Sequence, residues 1–176
     1  AAVAVSGLIG VSLDEIVEGI AHLASSKMRG EILRFERGFS VIDDSYNSNP
    51  AALGALVESI TQNRQNGGRR IVVAGEMLEL GPEGARLHRE SGEKIGRSGV
   101  DLLIGVRGLA REIVAGAIDS GMDARYAIFV ETPQDAARTL ASRIQTGDLV
   151  LVKGSRGVKM EIVVEDMKRQ FEGASS

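Results

Sequence analysis

The chain has 176 residues, 21 basic and 24 acidic side chains for a formal net charge of −3, no cysteine, and two histidines, His22 and His88. That length holds one full domain and a remnant, and a composition of 43% hydrophobic and 26% charged residues excludes wholesale disorder. The missing thiols exclude disulfides, thiolate nucleophiles and Cys-based zinc sites, while the near-balanced charge predicts neither a nucleic-acid nor a membrane-surface partner.

Ala1 to Val11 is apolar apart from Ser6 and lacks the basic start of a signal peptide, so it reads as the cut end of a helix. Ser12 with Glu15 has the spacing of a capping box, and Leu13, Ile16, Val17, Ile20 and Leu23 continue at helical spacing to about Ala24. Ser25-Ser26-Lys27 reads as a linker, placing a domain boundary between residues 26 and 27. Glu31–Phe35 and Phe39–Asp43 are short strands around the turn Glu36-Arg37-Gly38. Pro50 opens a helix with Leu53, Leu56, Val57 and Ile60 on its buried stripe, and Asn66-Gly67-Gly68 stops it. Strands are then predicted at Arg70–Ala74, Leu102–Val106, Ala127–Val130 and Leu149–Val152. Helices are predicted at Gly84–Ser98, Leu109–Ser120, Pro133–Ile144 (capped by Thr132) and Val158–Phe171, followed by a frayed tail, Glu172–Ser176.

Apolar runs such as Ile71-Val72-Val73-Ala74 and Leu149-Val150-Leu151-Val152 imply strands buried on both faces. With helices between them, the fold class is α/β: a mainly parallel sheet of about six strands, helices on both faces, and an N-terminal helical stub. Glycine at 22 residues and aromatics at 3% suit tight strand-to-helix turns around an aliphatic core. No segment reaches 18 apolar residues, so no membrane span is expected. Ligands of such sheets bind beyond the carboxyl ends of the strands, which directs attention to the loops after Asp43, Ala74, Val106 and Val152. The sequence has no G-x-x-x-x-G-K-[ST] loop and no G-x-G-x-x-G opening a helix.

Three polar constellations stand in those loops. Asp43-Asp44-Ser45-Tyr46-Asn47-Ser48-Asn49-Pro50 fits a turn and helix cap, since Asp, Asn and Ser favour both. It equally fits a ligand site in which carboxylates accept from ribose hydroxyls or approach Mg²⁺, Asn47 meets a base edge and Tyr46 flanks a ring. Gly75-Glu76-Met77-Leu78-Glu79-Leu80-Gly81 reads first as a connecting loop, with Glu76 placed to face a ligand. Lys153-Gly154-Ser155-Arg156-Gly157 follows a buried strand and is expected to open the last helix, where backbone N–H groups and basic side chains favour a carboxylate or phosphate. His88 within a helix, and Lys159 and Glu161 near the last one, read as packing or surface residues.

These segments, with Met28-Arg29-Gly30-Glu31 before them and Met160-Glu161 after, resemble the C-terminal domain of the Mur ligases from about Lys27 to Glu172. They lie nearest the members that add D-alanyl-D-alanine. The resemblance implies a Rossmann-like domain, 27–176, preceded at 1–26 by the end of a central ATP-binding domain. It also implies a cytoplasmic ligase of peptidoglycan precursor synthesis that uses ATP and Mg²⁺. In such an enzyme a UDP-N-acetylmuramoyl tripeptide carboxylate is activated as an acyl phosphate and attacked by the amine of D-Ala-D-Ala. By position, Arg29 and Asp44 match residues that hold the ATP ribose and phosphate region, and Tyr46, Asn47, Ser48 and Asn49 match the segment lining the nucleotide. Ser155 matches a contact to the incoming substrate, with Lys153 and Arg156 flanking it for the dipeptide carboxylate. Asp43, Glu76 and His88 match the pattern without an assigned role. The phosphate loop, modified lysine, metal ligands and UDP-sugar domain of the family have no counterpart here, so no catalytic and no metal residue is assigned, and this chain alone is expected to be inactive. The alternatives are an independent nucleotide-binding or regulatory module and the same domain of a sister ligase.

Overall fold

The computed structural model describes residues 28–62 and 67–171. The predicted helix over 12–24, the boundary after residue 26, Asn66 of the helix stop and the tail 172–176 lie outside the described residues.

Among the described residues six strands form one sheet, in the order β1-β2-β6-β3-β4-β5. They are β1 Glu31–Arg34, β2 Ser40–Asp44, β3 Arg70–Gly75, β4 Leu102–Val106, β5 Ala127–Val130 and β6 Leu149–Lys153. Only β1 and β2 are antiparallel; every other pairing is parallel. The β1–β2 hairpin closes through Gly38, whose φ of +80° only glycine adopts without strain. Its N–H donates to the Phe35 carbonyl at 2.8 Å. The described helices are α1 Pro50–Gln62, α2 Gly84–Arg97, α3 Ala110–Asp119, α4 Pro133–Arg143 and α5 Glu161–Phe171, with 3₁₀ turns at Gly81–Glu83 and Arg156–Val158.

The apolar strand runs work because successive side chains leave opposite faces of the sheet. Ile71, Val73, Ile104, Val106, Val150 and Val152 pack beneath α4 and α5, against Ala136, Leu140, Val163 and Met167. Val72, Ala74, Leu103 and Leu151 pack on the other face, against Leu53, Val57 and Ile60 of α1, Ile95 of α2 and Ile113 of α3. A strand serving two cores has no position for a polar residue along its middle, which is why β3 reads as apolar without alternation. Each such Val, Leu or Ile contributes about 1.5–3 kcal/mol by leaving water.

The N-terminal ends of the strands are tied by charge. Arg69 meets Asp148 at 2.7 Å, and this hydrogen bond holds the Arg69 guanidinium above its ordinary pKa. Buried Arg70 donates to the carbonyls of Ile60 and Gly68. These ties fix the edge opposite the candidate site. Thr132 caps α4 as expected, its hydroxyl accepting from the Asp135 N–H at 3.1 Å.

One expectation needs correction. The last helix does not begin at Val158. After the 3₁₀ turn, Lys159 takes φ +62°, a left-handed conformation that a right-handed helix cannot include, and α5 begins only at Glu161. The segment Lys153–Gly157 therefore does not open an α-helix, and the argument for an anion at that helix N-terminus loses its helix.

Candidate functional site

The site is built where β2, β3, β4 and β6 end together. At the end of β2, buried Asp43 accepts from both the N–H and the hydroxyl of Ser45, at 3.1 and 2.5 Å, which turns the chain sharply out of the sheet. Four residues later Asn49 caps α1: its side-chain oxygen accepts from the Ala52 N–H at 2.8 Å. Asn47 accepts from the Ser48 N–H at 2.8 Å. The turn-and-cap reading is therefore right for Asp43, Ser45 and Asn49. It leaves Asp44, Tyr46 and Asn47 turned to the surface, and Ser48 with a buried hydroxyl that has no hydrogen-bond partner.

Tyr46 is the centre of the arrangement. The guanidinium of Arg29 stands 4.2 Å from its ring centroid and that of Arg156 5.4 Å, both within cation–π range. The Tyr46 N–H also donates to the Met28 carbonyl, holding the turn before β1 against this loop. Two hollows lie beside the ring. One, of about 320 Å³, is lined by Arg29, Asp44, Tyr46, Asn47, Asn49, Ala52 and Lys153. The other, of about 240 Å³, is lined by Tyr46, Asn47, Leu78, Glu79, Ser155, Arg156 and Gly157. Tyr46 and Asn47 are their common wall. All the expected site residues except Ser48 line one hollow or the other. Lys153, expected beside Ser155 and Arg156, instead lines the hollow of Arg29 and Asp44 and pairs with Asp44.

The loop after β3 is a scaffold for the second hollow. Glu76 accepts from the Leu109 N–H at the start of α3 (3.0 Å), and a side chain at Gly108 would collide with its carboxylate. Ser155 accepts from the Leu78 N–H at 2.9 Å and donates its own N–H to the Glu76 carbonyl. Fully buried His88 accepts from the Met77 N–H through Nε2 (2.9 Å) and donates through Nδ1 to the Gly84 carbonyl (2.6 Å), which assigns the Nδ1-protonated tautomer. Glu76 and His88 thus hold the loop in place. His88→Ala is expected to destabilise the chain by about 2–3 kcal/mol, because the Met77 N–H is left buried without an acceptor. Urea unfolding of the variant measures this, and a loss under about 0.5 kcal/mol would show the clamp to be idle.

Sequence reasoning pointed to the loop after Val106 but named no residue there. The structure places Arg107 in it, exposed, at φ +69°, donating to the Gly157 carbonyl at 3.0 Å. A single Arg after a strand carries no pattern; the glycine that follows it is the only local signal. Among the described residues, the non-glycine positions with positive φ are Met28, Glu79, Arg107 and Lys159. All four lie at this edge of the sheet, and such strain concentrates where ligands are held. Among the described residues no group of three or more metal-ligating side chains is suitable for holding an ion. Another hollow, about 540 Å³ between α1 and α2, is lined by the apolar Leu53, Val57 and Ile95 and by Glu58, Thr61, Ser91, Lys94 and Ser98, away from the carboxyl ends of the strands.

A mainly parallel sheet with helices on both faces defines a Rossmann-like domain, and the two hollows lie beyond the carboxyl ends of its strands. The chain belongs to the Mur ligase family, whose glutamate ligase domain matches residues 28–156. It is 30% identical, over 95% of its length, to the UDP-N-acetylmuramoyl-tripeptide–D-alanyl-D-alanine ligase of Bacillus subtilis, and 31% identical over 96% of its length to that of Escherichia coli. The MurF ligase of Thermotoga maritima, solved in complex with ADP, superposes on 98% of the chain with a TM-score of 0.77 at 26% identity. The chain spans 36% and 35% of those two relatives and 37% of the solved chain, about a third of each. Among the described residues no helix is long and apolar enough to cross a membrane.

Proposed function

We propose that this chain acts as the C-terminal domain of a cytoplasmic, ATP-dependent ligase that joins D-alanyl-D-alanine to a UDP-N-acetylmuramoyl tripeptide in peptidoglycan precursor synthesis. The observation that carries the reading is the pair of hollows divided by Tyr46 and Asn47. The hollow with Arg29 and Asp44 suits a nucleotide: a cation for phosphate, a carboxylate for ribose hydroxyls, and the Tyr46 ring. The hollow with Ser155 and Arg156 suits a small carboxylate, since a guanidinium and a hydroxyl are a natural receptor for one. In this reading the wall keeps the two substrates adjacent, so the amine of one is delivered to a carboxyl group activated at the expense of the other. The described residues do not make a Mg²⁺ cage.

The test uses the longer protein and this chain side by side. The full-length ligase is expected to release phosphate only when ATP, the UDP-linked tripeptide and D-Ala-D-Ala are all present. The 176-residue chain alone is expected to release none. Phosphate release that ignores the dipeptide would overturn the substrate assignment, and turnover by this chain alone would show that one wall of the cleft suffices.

A further inference from the structure

Lys153 ends β6, and the strand register sets it beside Asp44, which ends β2. Its side chain is 4% exposed although it sits at the mouth of the site. The ammonium donates to Asp44 Oδ2 and, at 2.9 Å, to the carbonyl of Asn47. A buried ammonium is tolerated only when paired and hydrogen-bonded, and two of its three protons are committed to one short loop. The two acceptors are three residues apart. The first fixes where the chain leaves β2; the second fixes the peptide two residues before the cap of α1.

The end of β6 divides its neighbours. Lys153 serves the β2 side, while Ser155, two residues on, binds Leu78 on the β3 side. Gly154 between them is pressed on Gly75, whose Cα would lie 3.2 Å from an added Cβ, so the chain passes close to β3 before Ser155. Lys153 does not line the hollow of Ser155 and Arg156.

We propose that Lys153 is a positioning residue: it shapes the Asp44–Asn49 loop for the nucleotide and does not hold the second substrate. The inference rests on the ligase reading above. In the full-length enzyme, Lys153→Met is expected to raise the KM for ATP at least about tenfold, as loss of one partner of a buried charge pair does, while the KM for D-Ala-D-Ala stays within about twofold. Lys153→Arg, which keeps charge and donors, is expected to recover most of the ATP affinity. In the 176-residue chain, Lys153→Met and Asp44→Asn are expected to shift the same amide resonances, those of residues 44–49. A KM increase confined to the dipeptide overturns the proposal, as does a set of 44–49 amides unmoved by either substitution. If Lys153→Met does not fold, Lys153→Arg and Asp44→Asn supply the comparison. A wild-type enzyme that ignores D-Ala-D-Ala would sink the ligase reading instead, and the amide shifts would still decide what Lys153 holds.

Discussion

Gly92→Ala is expected to cost the domain about 3 kcal/mol of stability or to prevent folding. An added Cβ would stand 2.0 Å from the Ile113 carbonyl oxygen, where α2 crosses α3. The contact is reciprocal: a Cβ on Gly116 of α3 would stand 2.2 Å from the Arg89 carbonyl of α2, and one on Gly96 would stand 2.5 Å from that of Ala117. Backbone cannot swing aside as a side chain can, so the helices would have to separate along their length. Overpacking a tight core costs roughly 1–3 kcal/mol where side chains yield, and here backbone must. Gly54→Ala is the control. It lies mid-helix in α1 with nothing within 4 Å of an added Cβ, so the change is expected to stabilise the chain by about 0.5–1 kcal/mol. Urea unfolding of the two variants beside wild type gives both numbers. A Gly92→Ala variant within about 0.5 kcal/mol of wild type would mean that α2 and α3 do not approach this closely.

That helix contact also marks where sequence reading stopped. The strands were legible because burial on both faces leaves uninterrupted apolar runs, as at Ile71–Ala74. Helix starts were legible where a cap or proline writes them locally, at Asn49-Pro50 and Thr132-Pro133. Gly92 and Gly116 carry no such mark: their reason lies 21 residues or more away in the facing helix, at Ile113 and Arg89, and a helical glycine read alone suggests only a weak position. Lys159 is similar. Nothing in its identity announces a left-handed backbone, so the helical spacing alone places the start of the last helix too early. For the site, the Asp44–Asn49 loop was legible because it holds more polar residues than one cap needs. The pairing of Lys153 with Asp44 was not, because it joins positions 109 residues apart. The structural duties of His88 and Glu76 were hidden for the same reason, since their partners are backbone groups, which leave no trace in sequence.

Asp44→Ala carries the largest functional consequence. The substitution removes the counter-charge of Lys153 while leaving the ammonium buried at 4% exposure. Breaking a buried pair from one side costs about 3–5 kcal/mol, and the 20% exposure of the Asp44 side chain places this case near about 3. It also removes the carboxylate that the nucleotide reading assigns to ribose hydroxyls. A hydrogen bond to a charged group contributes about 1.5–3 kcal/mol, which at tenfold per 1.4 kcal/mol is a loss of about 10- to 100-fold in kcat/KM for ATP in the full-length ligase. Arg29→Ala is the milder companion. It loses a guanidinium 4.2 Å from the centroid of the Tyr46 ring, a contact contributing about 0.5–1 kcal/mol on its own, plus whatever phosphate it holds. Asp44→Asn separates the two costs of the alanine change. The amide keeps the shape and an acceptor for Lys153 but not the counter-charge, so thermal stability should return only in part while ATP kinetics remain impaired. Steady-state kinetics in ATP together with a melting curve for each variant make the comparison. If Asp44→Ala and Arg29→Ala both turn over with unchanged kcat/KM for ATP, the hollow beside Tyr46 is not where the nucleotide binds.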